Sequence, residues 1–211
     1  MSQDFSWDKG LLDQINQVSV LVNHSTIESQ LKIDGDQITA TPSQNGLSLN
    51  IDELKKRITA YLNTGQVPEP GLPVDTLKPK FSYNNALLVK DVLDKLKVSP
   101  LTLKFENNSW ILKPNDLLGM IELSDEQIPN TTVTYIKVVK DNENKYLLLD
   151  NNKANEYFAK LSGLINRPVQ EPLFSFNPSS IRVTEFKPPQ EGKSLIIDQS
   201  VSKMVSLLEQ L

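Results

Sequence analysis

The heptapeptide Gly46-Leu-Ser-Leu-Asn-Ile-Asp52 returns as Gly192-Lys-Ser-Leu-Ile-Ile-Asp198, with five of the seven positions identical. An apolar pattern at helical spacing follows each copy. The seven residues read as a turn at glycine, which tolerates φ > 0, then a short strand. Asp52 or Asp198 then serves as the N-cap of a helix, its carboxylate accepting from the free N–H groups of the first turn. In the first copy that helix is expected from Asp52 to about Asn63, burying Leu54, Ile58, Tyr61 and Leu62. The motif is architectural, and the chain reads as a repeat.

The match extends upstream. Leu21-Val-Asn23 corresponds to Leu164-Ile-Asn166 at an offset of 143, and the stripe Leu11, Ile15, Val18, Val22 becomes Ala154, Phe158, Leu161, Ile165. The same offset pairs Ile33 with Phe176 and Ile38 with Ile181, whereas the heptapeptides stand 146 apart. A three-residue insertion between Ile181 and Gly192 accounts for this, in a loop where it costs little. In the first copy a helix is expected from Trp7 to Asn23, then strands Gln30–Ile33 and Gln37–Thr41 around a hairpin turn at Asp34-Gly-Asp36.

Between the copies lies material found once. Residues 65–79 carry Pro68, Pro70, Pro73 and Pro79 and should run extended. Leu72, Val74 and Leu77 make this arm too apolar for a free linker, so it is expected to bury them along the surface of a unit as an edge strand. A helix from Asn84 to Leu96 follows, then a hairpin of Leu101–Phe105 and Ser109–Lys113, a short helix at Asp116–Ile121, strands Thr131–Val139 and Tyr146–Leu149, and Asp150 as the next helix cap. Hairpins with helices packed to one side make an α+β fold of tandem related units, each of helix, antiparallel strands and helix, with the first unit incomplete.

Composition narrows the function. The 211 residues carry 22 basic and 26 acidic side chains, a formal charge of −4. No cluster of Lys and Arg runs along one face, so nucleic acid is not an expected partner. The lack of cysteine removes thiol catalysis, disulfides and thiolate metal sites. No apolar run approaches the roughly 18 residues of a membrane span, and no secretory signal opens the chain.

Several residues carry groups capable of chemistry. His24 is the single histidine, placed like Arg167 just after a helix end, where both read as favouring the helix C-terminus electrostatically. Glu122, Asp125 and Glu126 cluster in sequence, but glycosidase carboxylates come from separate elements, and the cluster reads as a solvated loop. Asp34-Gly-Asp36 and Asp141-Asn-Glu-Asn144 lack the spacing of a calcium loop and read as turns. Trp7 and Trp110 are the natural candidates for stacking on a sugar ring, with Trp110 expected in the core and Trp7 as a contact at the helix start. No catalytic residue, metal ligand or cofactor is assigned, and the ligand-binding residues stay open.

The stretch Pro100-Leu-Thr-Leu with Trp110-Ile-Leu112 and Leu118, the helix ending Leu164-Ile-Asn-Arg-Pro168, the Phe174-Ser-Phe176 strand and Gly192-x-x-Leu-Ile-Ile-Asp198 together resemble the peptidoglycan-binding domain of VanW-like (YoaR-like) proteins. The same domain type precedes the catalytic domain in some L,D-transpeptidases. The resemblance implies that residues 84–211 form one complete domain and residues 1–83, with the proline-rich arm, the back half of a preceding one. It implies a non-catalytic, extracytoplasmic module of a longer, membrane-anchored protein, monomeric, with peptidoglycan as partner. A spacer or protein-interaction module without glycan affinity is the alternative, and a carboxylate-based glycoside hydrolase the remote one.

Overall fold

The computed structural model describes residues 7–125, 134–140, 142–177 and 182–211. Over these the chain forms six helices and ten strands, the strands paired as five two-stranded antiparallel ladders, an α+β architecture. It divides into two compact units. One takes the chain up to Leu87 and adds a short stretch from Leu123; the other takes Leu88–Glu122 and the remainder to Leu211.

In the first unit, α1 (Lys9–Val22) starts at Asp8, whose carboxylate accepts from the Leu11 N–H at 2.7 Å. A hairpin of β1 (Gln30–Asp34) and β2 (Gln37–Thr41) follows, turning at Gly35, which has φ 55°. The heptapeptide supplies β3 (Gly46–Leu49) and the start of α2 (Ile51–Thr64). The proline-rich arm contributes β4 (Val74–Leu77), which pairs with β3 in the register Gly46↔Leu77 to Leu49↔Val74. The arm is therefore an edge strand, but its burial falls elsewhere than expected. Pro73 and Pro79 are the buried residues, while Leu72, Val74 and Leu77 stay exposed, because a two-stranded ribbon has no second layer over that face. Past Pro79, the Phe81 backbone donates to the Glu28 carboxylate at 2.7 Å and accepts from the Ser29 N–H.

The second unit takes most of α3 (Tyr83–Val98), with Val89, Val92, Leu93 and Leu96 buried. A hairpin of β5 (Thr102–Phe105) and β6 (Asn108–Ile111), the short α4 (Pro114–Met120) and a hairpin of β7 (Thr134–Lys140) and β8 (Glu143–Leu149) follow. Asp150 caps α5 (Asn151–Ile165), accepting from Asn152 and Lys153 N–H groups. β9 (Leu173–Asn177), β10 (Arg182–Lys187) and α6 (Ile197–Leu208) complete it. All of the largest fully buried side chains, Leu93, Leu112, Ile136 and Met204 among them, lie in this unit.

The local geometry corrects the sequence reading of the heptapeptide at two points. Neither Gly46 nor Gly192 takes a positive φ. A Cβ on Gly46 would stand 2.5 Å from the His24 carbonyl oxygen and 2.8 Å from the Thr26 nitrogen, and one on Gly192 would stand 2.9 Å from the Val169 nitrogen. Close backbone approach requires the glycine. Nor are the aspartates caps: α2 is capped by Asn50, whose side chain accepts from the Glu53 N–H at 2.9 Å, and the N-cap of α6 is Ile196, which has no side-chain acceptor. Asp52 and Asp198 sit inside the first turn, where their charge meets the helix dipole instead.

The inserted residues are also placed differently. Phe176 pairs with Val183 as Ile33 pairs with Ile38, so Val183, not Ile181, answers Ile38; Ile181 itself lies outside the described residues. Two of the three extra residues fall between Asn177 and Arg182. The third is taken up where the register shifts between Val183 and Glu185, because a bulge absorbs one residue without ending the ladder.

A candidate binding groove beside Trp110

One set of bonds occurs in both units and holds each heptapeptide in place. In the first, Asn23 ends α1, its N–H donating to the Ser19 carbonyl, while its amide oxygen accepts from the Leu49 N–H at 2.7 Å. His24 and Leu47 exchange both backbone hydrogen bonds, and Ile27 does the same with Gln44. In the second, Asn166 donates to Ser162 and accepts from the Leu195 N–H at 2.7 Å, Arg167 pairs with Lys193, and Gln170 with Gln190. The asparagine side chain acts as a clasp: it bonds the Leu49 or Leu195 N–H, which the preceding loop's backbone does not reach.

The pair beside the clasp differs in chemistry. His24 is exposed, and its backbone exchanges bonds with Leu47. Arg167 does not serve the helix end as expected. Its guanidinium binds Glu106 in the β5–β6 turn at 3.2 Å and donates to the Glu191 carbonyl at 3.1 Å. Lys193 reaches the same Glu106 oxygen at 3.1 Å and lies 5.5 Å from the Phe105 ring centre. The hydrogen bond from Lys193, with Arg167 beside it, holds the Glu106 carboxyl below the usual carboxylate range. These ions are part-exposed, so they orient the hairpin more than they stabilise it.

The hairpin so oriented forms one wall of a groove of about 220 Å³ within the second unit. Trp110 and Phe105 line it on the hairpin side, Phe158, Leu161 and Met204 form an apolar floor, and Lys104 and Lys203 bring cations to its lining. Trp110 is half-buried and not a full core residue, since its strand lies at the rim of the layer and only Leu112, two residues on, is fully enclosed. The volume suits about one sugar ring or one side chain and is smaller than a typical drug-sized pocket. The sequence marks Phe105 only as an apolar residue of its hairpin and gives Lys104 and Lys203 no distinguishing signal, because the three come together only when the hairpin folds over the α5–α6 pair.

The other candidates are accounted for locally. Asp125 accepts from the Ser82 N–H and the Asn85 amide, both at 2.8 Å, at the start of α3. The Glu122 N–H donates to Leu148, and Glu126 lies outside the described residues. Asp34 ends β1 and Gly35-Asp36 is the two-residue turn of its hairpin, and Asn142, at φ 62°, makes the β7–β8 turn, with Asp141 outside the described residues. Trp7 stands before α1, with the Lys55 ammonium 5.6 Å from its ring centre. Among the described residues no cluster of His, Asp and Glu is arranged to hold a metal ion, and no helix is long and apolar enough to cross a membrane.

Residues 2–69 match the model of a family described as "Putative peptidoglycan binding domain". The match supports a cell-wall-binding module with peptidoglycan as its partner. A search of curated proteins and a search of solved structures returned no match.

Proposed function

We propose that this chain is a non-catalytic, extracytoplasmic module that binds peptidoglycan and thereby positions neighbouring protein at the cell wall. The family match over residues 2–69 carries the reading. Its extension to residues 84–211, as a second unit of the same kind and kin to the domain of VanW-like proteins, is supported by the asparagine clasp and the backbone pairs that recur there. We place the sugar contact in the Trp110 groove, which combines an accessible aromatic wall with ammonium groups from Lys104 and Lys203. With a formal charge of −4 the chain gains no general attraction to anionic wall polymers, so retention rests on specific contacts.

Co-sedimentation with insoluble peptidoglycan at several salt concentrations tests this. Retention that persists as salt rises, and that drops for a folded Trp110→Ala variant, is the expected result. A chain left in the supernatant at every salt concentration is a spacer without glycan affinity. Retention unchanged in Trp110→Ala would move the contact out of the groove.

A further inference from the structure

The groove beside Trp110 is apolar at its floor and cationic in its lining, and the two properties select different parts of a wall polymer. Its charged lining residues are both lysines, Lys104 and Lys203. Among the described residues neither ammonium makes an ion pair or a hydrogen bond. Ser109, not an acid, stands across the ladder from Lys104. Lys203 takes the place of Arg57 in the first unit, where the Glu53 carboxylate one turn earlier binds the guanidinium at 3.2 Å; one turn before Lys203 stands Gln199. Both cations are therefore available to a ligand. Hydroxyls are scarce by comparison. Thr102 and Ser200 supply them, and the Ser200 hydroxyl already donates to the Ile196 carbonyl at 2.9 Å. A sugar ring pressed onto Phe158, Leu161 and Met204 would lose water from its own hydroxyls with few partners to replace it, whereas a short aliphatic side chain gains by the same burial. The ring's place is the half-buried Trp110 at the rim. In the first unit the segment after α2 pairs with β3 and leaves the counterpart of this floor open, since Tyr61, in the place of Leu207, is exposed.

We propose that the groove reads the peptide stem of peptidoglycan. A sugar ring rests on Trp110, a short aliphatic residue of the attached peptide enters the floor, and the free carboxylate of that peptide meets Lys104 and Lys203. The ligand class is a muramyl peptide ending in a carboxylate, not a bare glycan chain, whose N-acetylated sugars are neutral and offer the ammonium groups no charge. A carboxylate accepts from them in hydrogen bonds stronger than those of a neutral hydroxyl. The volume of about 220 Å³ leaves room for one small side chain below the ring. This inference rests on the cell-wall reading and names the part of the polymer that is recognised.

The test uses the full chain, titrated by NMR at the Trp110 indole N–H with soluble probes: N-acetylmuramyl-alanyl-isoglutamine, the same molecule with its carboxyl amidated, and neutral triacetylchitotriose. The acid should bind at least about threefold more tightly than its amide, the worth of part-exposed ion contacts, and chitotriose more weakly than either. In a Lys104→Gln/Lys203→Gln double variant acid and amide should bind alike, with the affinity for the amide unchanged. The difference between acid and amide should narrow as salt rises, while retention on insoluble peptidoglycan, which rests on stacking and apolar contact, persists. Equal binding of acid and amide by the native chain would overturn this inference and leave the cell-wall reading standing if the insoluble wall still retains the chain. So would a difference that survives in the double variant, chitotriose binding as tightly as the acid, or a Trp110 signal that no probe moves at millimolar concentration. A chain that insoluble peptidoglycan fails to retain would remove the cell-wall reading and this inference with it.

Discussion

The α1–α2 pair and the α5–α6 pair carry matching stripes, yet only the second pair is packed as a core. Of the α1 stripe only Ile15 is buried and α2 buries nothing, whereas Ala154, Phe158, Leu161 and Ile165 of α5 and Val201, Met204, Val205 and Leu208 of α6 are all enclosed. Tyr61 and Leu62, expected inside, are 45% and 52% exposed. The difference lies in what covers the helices. In the second unit α4 packs on α5, β7 on α6, and the β5–β6 hairpin closes over both at the groove. An apolar stripe states which face of a helix seeks cover; whether cover arrives depends on the rest of the unit.

Truncation of equivalent residues should show this most strongly. Leu208, 3% exposed, and Leu62 occupy the same place in their helices. Leu208→Ala should cost about 2–4 kcal/mol and Leu62→Ala under about 1 kcal/mol, read from urea unfolding. Equal costs would mean that the two helix pairs are covered alike in solution.

The glycines come next. Every atom that a Cβ on Gly46 would meet first belongs to the backbone, whereas Gly192 meets one flexible atom, Val169 Cγ2, among its close neighbours. Gly46→Ala should therefore lose about 3 kcal/mol and Gly192→Ala about 1–2 kcal/mol. A reversed order of unfolding midpoints would break the explanation by close approach.

The clasps and caps should give smaller effects. Asn23→Ala leaves the N–H of buried Leu49 without its partner and should cost about 1–3 kcal/mol, while Asn166→Ala frees the N–H of a less enclosed Leu195 and should cost about 1 kcal/mol or less. Asp150→Ala, which removes an observed cap, should lose about 1 kcal/mol. Asp52→Ala and Asp198→Ala should each lose only about 0.3–0.5 kcal/mol, the worth of an exposed first-turn charge.

The smallest difference is in acid. Glu28 is held below the usual carboxylate range first by the Phe81 N–H, and Glu106 first by Lys193. A carboxyl with a lowered folded pKa contributes stability that is present above its unfolded value, about 4.3, and is lost as pH falls through the folded one. Glu28→Gln and Glu106→Gln should each flatten the decline of the urea midpoint on acidification, Glu106→Gln more so at low salt because its partners are cations. An unchanged pH profile in both would remove these carboxylates from the acid response.

The sequence by itself determined the order of elements, the hairpin turns at Gly35 and beyond Lys140, the cap at Asp150 and the correspondence between the two heptapeptide regions. Each of these is local: propensity, period and turn chemistry act over a few residues. The recurring Asn23 and Asn166 were legible as a match but not as a clasp, since the N–H groups they bind lie 26 and 29 residues away. Tertiary structure decided the rest. It chose Asn50 over Asp52 as the cap, because β3 runs extended up to Asn50 before the helix turns. It made Gly46 necessary through contact with residues 24–26, left one helix pair uncovered, and assembled the Trp110 groove from a hairpin and two helices far apart in the chain. Burial and contact between distant segments depend on which layer covers which face, and periodicity carries no record of that.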